Sequence, residues 1–300
     1  MSDGLFQLGA NMMKKKFNLG LALGGGSARG LTHIGVLKAL EENDIKPDFI
    51  SGTSAGAIIG ALYCSGISVQ MMEQLSCAMT RADWVKLLDF SFSRSGMLKG
   101  EKLLKFLKKH TGGERDFKDM KPPFTAVATD INTGESVYIN QGSLWPAVRA
   151  SFSIPIIFKV LNLQGRYLVD GGLSEMVPVA SCAQMGADFV LAVNCLSFND
   201  NRLFSPQLMT QDKTKTKGKP GLVRIAVHTF EIAVMRIIQD NLLDADFVIE
   251  PDTKEIGPTD FKKSKQCIDL GYQTTMAQME KLKKALAEFD PQTKKNSEKD

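Results

Sequence analysis

From residue 17 onward, short continuous apolar runs alternate with longer segments whose apolar positions recur every three or four residues. Residues 17–23 (FNLGLAL) are too short and too uniformly apolar for an amphipathic helix, so they read as a buried strand running into the loop Gly24-Gly25-Gly26-Ser27-Ala28-Arg29-Gly30. Leu31, Ile34, Leu37 and Leu40 then recur at helical spacing as far as Glu42. Pro47 opens a second strand at 48–51, and Ala55–Cys64 is an apolar helix that stops near Ser65-Gly66. Residues 69–110 carry helical spacing, with a break over 91–100. Strands are expected at 124–128 and 136–140, then a short helix at 144–151. A strand at 167–169 leads into Asp170-Gly171-Gly172, followed by a helix at 179–185 and a buried strand at 189–193. The lysine-rich stretch 198–220 reads as a long surface loop. A helix at 222–243, a strand at 247–249 and a helix at 267–289 complete the series.

Strand and helix alternate through the first half, which predicts an α/β fold: one domain of three α/β/α layers around a mostly parallel central sheet. The expected domain spans 17–290, with a loose leader over 1–16 and a disordered tail over 291–300. The tail, PQTKKNSEKD, has too little apolar surface to bury.

Composition adds exclusions. Hydrophobic residues make up 43% of the 300 and charged residues 23%, enough to build a core without staples or metals. The net charge is a modest +4, and no basic-aromatic interleaving argues for nucleic acid. The Lys14-Lys15-Lys16 run, 102–109, 213–219 and the tail are the most basic stretches. Such runs are ordinarily solvated faces, and they also suit peripheral contact with an anionic membrane. The five cysteines sit in apolar segments with no pair at metal-ligand spacing, which reads as buried free thiols in a reducing compartment. No metal site and no cofactor are expected. The first 16 residues lack a signal-peptide core, and no apolar window approaches the roughly 20 residues of a spanning helix. The expected location is cytoplasmic, with peripheral contact on the inner face of the membrane. Nothing in the pattern fixes the oligomeric state.

Candidate chemistry lies in three places. Gly52-Thr53-Ser54-Ala55-Gly56 fits the G-x-S-x-G elbow, in which a serine sits on a tight turn between strand and helix. The glycines let the backbone bend and keep bulk away from the hydroxyl. The alternative is the same turn with an inert serine. A base is the second requirement, and the chain holds only His33, His110 and His228. The order Ser54, Asp170, His228 matches that of α/β-hydrolases, yet His228 falls in a helical pattern rather than a loop after a strand. His33 packs behind the glycine loop, and His110 suits the C-terminal end of a helix. Asp170 ends a buried strand ahead of two glycines, where partial burial would raise its pKa and fit it for accepting a proton. The competing reading is an ordinary Asp-Gly turn. Third, residues 24–30 place backbone N–H groups beside a helix N-terminus, a nest for a phosphate or an oxyanion. The spacing G-x-G-x-x-x-G is not that of dinucleotide folds, and Glu41 and Glu42 come too early to hold a ribose.

Taken in order, GGGSARG, GTSAG and DGG resemble the three signatures of the patatin-like phospholipases. Residues 148–155 (VRASFSIP) resemble the family's Ala-Ser segment, and 246–272 resemble its small bacterial members. The resemblance implies a Ser-Asp dyad without histidine, an oxyanion loop and lipid ester substrates such as phospholipids. It implies Ser54 as nucleophile and Asp170 as proton acceptor, with oxyanion N–H groups from Gly25, Gly26 and Ser27 and with Arg29 supporting the loop. Plant patatins carry an aspartate before the loop, whereas Leu23 stands here and two residues separate the glycines from Arg29. That departure favours the bacterial branch and leaves open which amides form the hole. An acyltransferase or thioesterase using the same serine, or a silent membrane-associated regulator, are the alternatives. Finally, Trp84, Leu87, Leu88, Phe90 and Phe92, flanked by Lys86 and Lys99, read either as a helix packed on the core or as a lid or membrane-docking face over Ser54.

Overall fold

The computed structural model describes residues 17–87, 98–196 and 222–292. The expected leader, the 198–220 loop, the tail beyond residue 292, and Leu88, Phe90 and Phe92 lie outside these residues. In chain order the strands are β1 Leu19–Leu23, β2 Phe49–Thr53, β3 Phe124–Asp130, β4 Ser136–Ile139, β5 Leu161–Leu163, β6 Arg166–Asp170, β7 Phe189–Val193 and β8 Phe247–Ile249. The helices are α1 Thr32–Glu42, α2 Ala55–Cys64, α3 Val69–Ala78, α4 Arg81–Leu87, α5 Glu101–His110, α6 Leu144–Ser151, α7 Val179–Gln184, α8 Leu222–Leu242 and α9 Ser264–Glu288.

Strand β1 is apolar throughout because it lies mid-sheet with both faces covered. Leu19, Leu21 and Leu23 join the larger core with α1, α2 and α9, while Ala22 points to the other face, under α7 and α8. Strand β7 alternates the same way: Phe189, Leu191 and Val193 face one side, Val190 and Ala192 the other. This period-two split produces the three layers. Strands β8, β7, β1, β2 and β3 are parallel, and β4, β5 and β6 join antiparallel to their partners, so the sheet is mixed. Strand β5 was not expected. It is three residues long and turns into β6 through Gln164 and Gly165, both at positive φ. That is the geometry of a two-residue hairpin without the usual Asn-Gly or Asp-Gly signal.

One detail of register places the site. Val127 of β3 pairs with Thr53 of β2 and Tyr138 of β4, while Ala128 pairs with Asp170 of β6 and Val137 of β4. A strand residue has only two edges, so β4 follows one edge of β3 while β2 and β6 share the other in succession. Strand β2 runs with β3 and β6 runs against it. Their C-terminal ends therefore converge, and the residue after Thr53 meets Asp170.

Candidate active site

Ser54 is the hinge between β2 and α2, held at φ 53° and ψ −115°. A non-glycine residue there is strained, and such strain persists only where the surroundings enforce it. They do so here by close approach. A Cβ on Gly56 would sit 2.0 Å from the Leu23 carbonyl oxygen, and one on Gly52 would sit 2.6 Å from the Gly56 carbonyl oxygen. Gly30 lies against Ala55, where an added Cβ would come within 2.4 Å of the alanine's. Thr53 Oγ1 donates to the Glu175 carbonyl at 2.8 Å, and the Ser54 amide donates to Ser151 Oγ at 2.9 Å.

Asp170 ends β6 and is fully buried. Its amide donates to the Ser153 carbonyl at 2.9 Å, and its Oδ1 accepts the Gly172 amide at 2.8 Å. Gly171 passes so close to β3 that a Cβ would lie 2.3 Å from the Val127 carbonyl oxygen. Burial pushes the Asp170 pKa up to about 7, while the Gly172 amide and the Ser54 hydroxyl pull it back down. Oδ2 is buried with no donor in full hydrogen-bond geometry. The Ser54 hydroxyl thus acts on the carboxylate from outside strict hydrogen-bond geometry.

The glycine loop reaches the same place. A Cβ on Gly25 would sit 3.2 Å from that of Ser54 and 2.4 Å from Met176 Sδ. The Gly25 amide donates to the Met176 carbonyl at 3.0 Å. The amides of Gly26 and Ser27 bond no acceptor among the described residues. Ser27, at φ 53°, donates its hydroxyl to the Pro258 carbonyl, and Arg29 Nε donates to the Ile256 carbonyl, each at 2.7 Å. His33 supports the loop from beneath, its Nε2 bonded to the Gly24 carbonyl at 2.7 Å. That contact makes Nε2 the protonated nitrogen, and burial lowers the His33 pKa to about 4, so the ring is neutral. His110 ends α5, packs against Phe106 with the two rings tilted, and lines a cleft beside Ser54. Neither histidine bonds Ser54 or Asp170. His228 falls within α8.

Beside Ser54 opens a cleft enclosing about 1000 Å³ of empty space, its mouth included. Ser54, Ile58 and Leu62 line it at successive turns of α2, which carries it roughly 12 Å along the helix axis. Most of the wall is apolar, from Met72, Leu103, Phe106 and Phe158 among others; Ser27, Ser54, Ser76 and His110 are its polar members. Trp84 and Leu87 belong to this wall, and the Trp84 indole stacks on Phe261 at 4.6 Å between ring centroids. These two are the members of the expected apolar cluster that fall within the described residues.

Several contributors escaped the sequence reading. Ser151 and Ser153 tie the elbow and Asp170 to one short segment. Their signal was the VRASFSIP stretch, which carried a resemblance and no role. Arg149, buried on α6, bonds Ser153 Oγ and the carbonyls of Lys99 and Lys159. Nothing in the sequence pointed to Met176. All five cysteines are free; four are buried as expected, whereas Cys77, on α3, is exposed. Among the described residues no group of three histidine, cysteine or acidic side chains could hold a metal, and no helix is long and apolar enough to cross a membrane.

The family model for patatin-like phospholipases matches residues 21–183, a span holding the glycine loop, the elbow and Asp170. An uncharacterized NTE family protein of Mycobacterium tuberculosis is 37% identical over 220 residues, 73% of this chain and 59% of its own length. A lysophospholipase of Emericella nidulans is 34% identical over 186 residues, 61% of this chain and 12% of that protein. Among solved structures, VipD from Legionella pneumophila is 14% identical with a TM-score of 0.47, covering 89% of this chain and 67% of its own. This chain therefore spans about three fifths of the mycobacterial relative and a small part of the fungal one.

Proposed function

Because the chain belongs to the patatin-like phospholipase family, we propose that it is a serine-dependent lipid acyl hydrolase in which Ser54 and Asp170 act as a dyad. The observation that carries this reading is the buried, unpartnered Oδ2 of Asp170 beside a strained serine at an apolar cleft. A base with a pKa near the working pH is well matched to accepting a hydroxyl proton, and burial puts Asp170 there.

The ester enters with its acyl chain in the cleft and its carbonyl carbon against Ser54 Oγ. As Oγ attacks, its proton passes to Asp170 Oδ2 and the carbonyl oxygen becomes an oxyanion. The amides of Gly26 and Ser27, together with the N-terminal end of α2, stabilise that charge. Collapse of the intermediate expels the alcohol, which takes the proton back from Asp170 and leaves an acyl group on Ser54. Water then attacks the acyl-enzyme, giving its proton to Asp170. The acid departs as the serine is reprotonated. No cofactor enters these steps. The substrate class is lipid esters, phospholipids and lysophospholipids among them.

The cleft gives this reading a direct test. Each methylene that leaves water is worth up to about 0.8 kcal/mol. With p-nitrophenyl esters of rising chain length, kcat/KM should climb at least tenfold from the four-carbon to the eight-carbon acyl group. A flat or falling dependence would remove the cleft from substrate binding.

A further inference from the structure

Ile156 is hard to explain as a structural residue. It holds φ 71°, a region costly for a β-branched side chain, and it is 53% exposed. A glycine or asparagine would suit that backbone better, and a polar residue would suit the exposure. Strain that neither packing nor backbone preference accounts for points to function.

Its neighbours indicate what it meets. Ile154 and Phe158, on either side, line the cleft, so the turn between them is part of the cleft's rim. Val160 just beyond is 39% exposed. The base of this tip is fixed: Leu98 bridges Phe158, and the amides of Leu98 and Lys159 donate to the carbonyls of Ile157 and Leu98. Arg149 clamps the two segments from below through the carbonyls of Lys99 and Lys159, stacked near the rings of Phe152 and Phe158. This arrangement sets Lys99 and Lys159 on adjacent segments beneath the apolar tip. Lys99 is about half exposed and its contact with Glu101, at 3.7 Å, is a weak surface pair that a phosphate can replace. An apolar point above lysines, at the mouth of an apolar cleft, is complementary to acyl chains beneath anionic head groups.

We infer that the 154–160 tip, led by Ile156, is the point at which the protein docks on the surface of an anionic lipid layer. The inference rests on the reading of the cleft as a lipid acyl site. Docking there sets the cleft mouth against the layer, so that an acyl chain passes from one apolar phase to the other without crossing water. The same Arg149 that clamps the tip also holds Ser153, whose carbonyl receives the Asp170 amide.

The test uses the full chain and vesicle cosedimentation, with phosphatidylglycerol-containing and pure phosphatidylcholine vesicles. Ile156→Asn should weaken binding about tenfold, the loss expected for one exposed isoleucine that no longer enters the layer. Its melting temperature should hold or rise, because asparagine tolerates this backbone, and hydrolysis of p-nitrophenyl butyrate should be unchanged. Lys99→Ala with Lys159→Ala should weaken binding to the anionic vesicles alone. Equal vesicle binding by wild type and Ile156→Asn would overturn the proposal. So would a fall in melting temperature with loss of soluble-ester hydrolysis, which marks a structural role. Self-association abolished by the same change would assign the tip to a second copy of the chain and overturn it too. Vesicle binding needs no turnover. A chain that hydrolyses no ester yet loses binding on Ile156→Asn would keep the tip and overturn the hydrolase reading.

Discussion

Asp170→Asn should yield a protein that melts several degrees higher than wild type at pH 8 and has lost about a thousandfold or more in kcat/KM for ester hydrolysis. Both effects come from one buried carboxylate. Burial lifts its pKa in the folded state to about 7, from an ordinary value of 3.8. Between those two values the folded protein keeps a proton that the unfolded chain has already released. Wild-type stability therefore falls as pH rises from about 4 to about 7, then stays at the lower level. A shift of that size corresponds to a penalty on the order of 4 kcal/mol at neutral pH. Asparagine keeps an oxygen to accept the Gly172 amide and carries no charge, so its melting temperature should lack that decline. The functional price is the base itself. Ser54→Ala should lose as much activity, and the double variant little more than either single one, as for residues acting as a unit. In wild type, kcat/KM should rise with pH through an apparent pKa near 7, where Asp170 becomes competent to accept the proton. His228→Ala should stay within a fewfold of wild type. A folded His228→Ala protein down about 10³-fold would restore a histidine triad. An Asp170→Asn protein with wild-type turnover would end the dyad.

Gly56→Ala should cost more than any single contact in the site. Its Cβ would lie 2.0 Å from the Leu23 carbonyl oxygen and 2.7 Å from that of Gly24, both backbone atoms at the end of the central strand. Neither can retreat cheaply, because Leu23 pairs with Val193 of β7, both are buried, and the Gly24 amide donates to the Val193 carbonyl. The elbow must move instead. Overpacking of this kind costs roughly 3 kcal/mol or more, and a displacement near 1 Å at a nucleophile costs about 10²-fold in rate. The expected result is low soluble yield or a sharply lowered melting temperature, with activity falling in any protein that does fold. Gly66→Ala isolates backbone strain from collision: Gly66 has φ 86° and open space where a Cβ would go. It should lose only about 1–2 kcal/mol and keep its turnover. Gly56→Ala with wild-type melting and turnover would show that the elbow does not need the close approach seen here.

Which features the sequence disclosed follows from their range. Strands β1 and β7 were readable because burial on both faces leaves an uninterrupted apolar run, and α1 because one face alternates at helical spacing. The elbow and the glycine loop were readable because close backbone approach demands glycine at fixed offsets. What joins them was not. The meeting of Ser54 and Asp170 depends on β6 running against β3, and residues 166–170 look the same in either direction. The hydroxyl of Ser151 and the carbonyl of Ser153 matter only once α6 is docked. The Gly25 amide, expected to face an oxyanion, donates to the Met176 carbonyl, a contact between residues 151 positions apart. Trp84 and Leu87 showed an apolar cluster, but only the fold set them in the cleft wall, with Trp84 against Phe261.

Labelling with a fluorophosphonate probe, followed by peptide mapping, reads out whether Ser54 is an activated nucleophile. The probe should modify wild type at Ser54, more slowly in Asp170→Asn, and leave Ser54→Ala unmarked. Equal labelling of folded wild type and Ser54→Ala, or none of wild type, would mean that Ser54 is not the nucleophile.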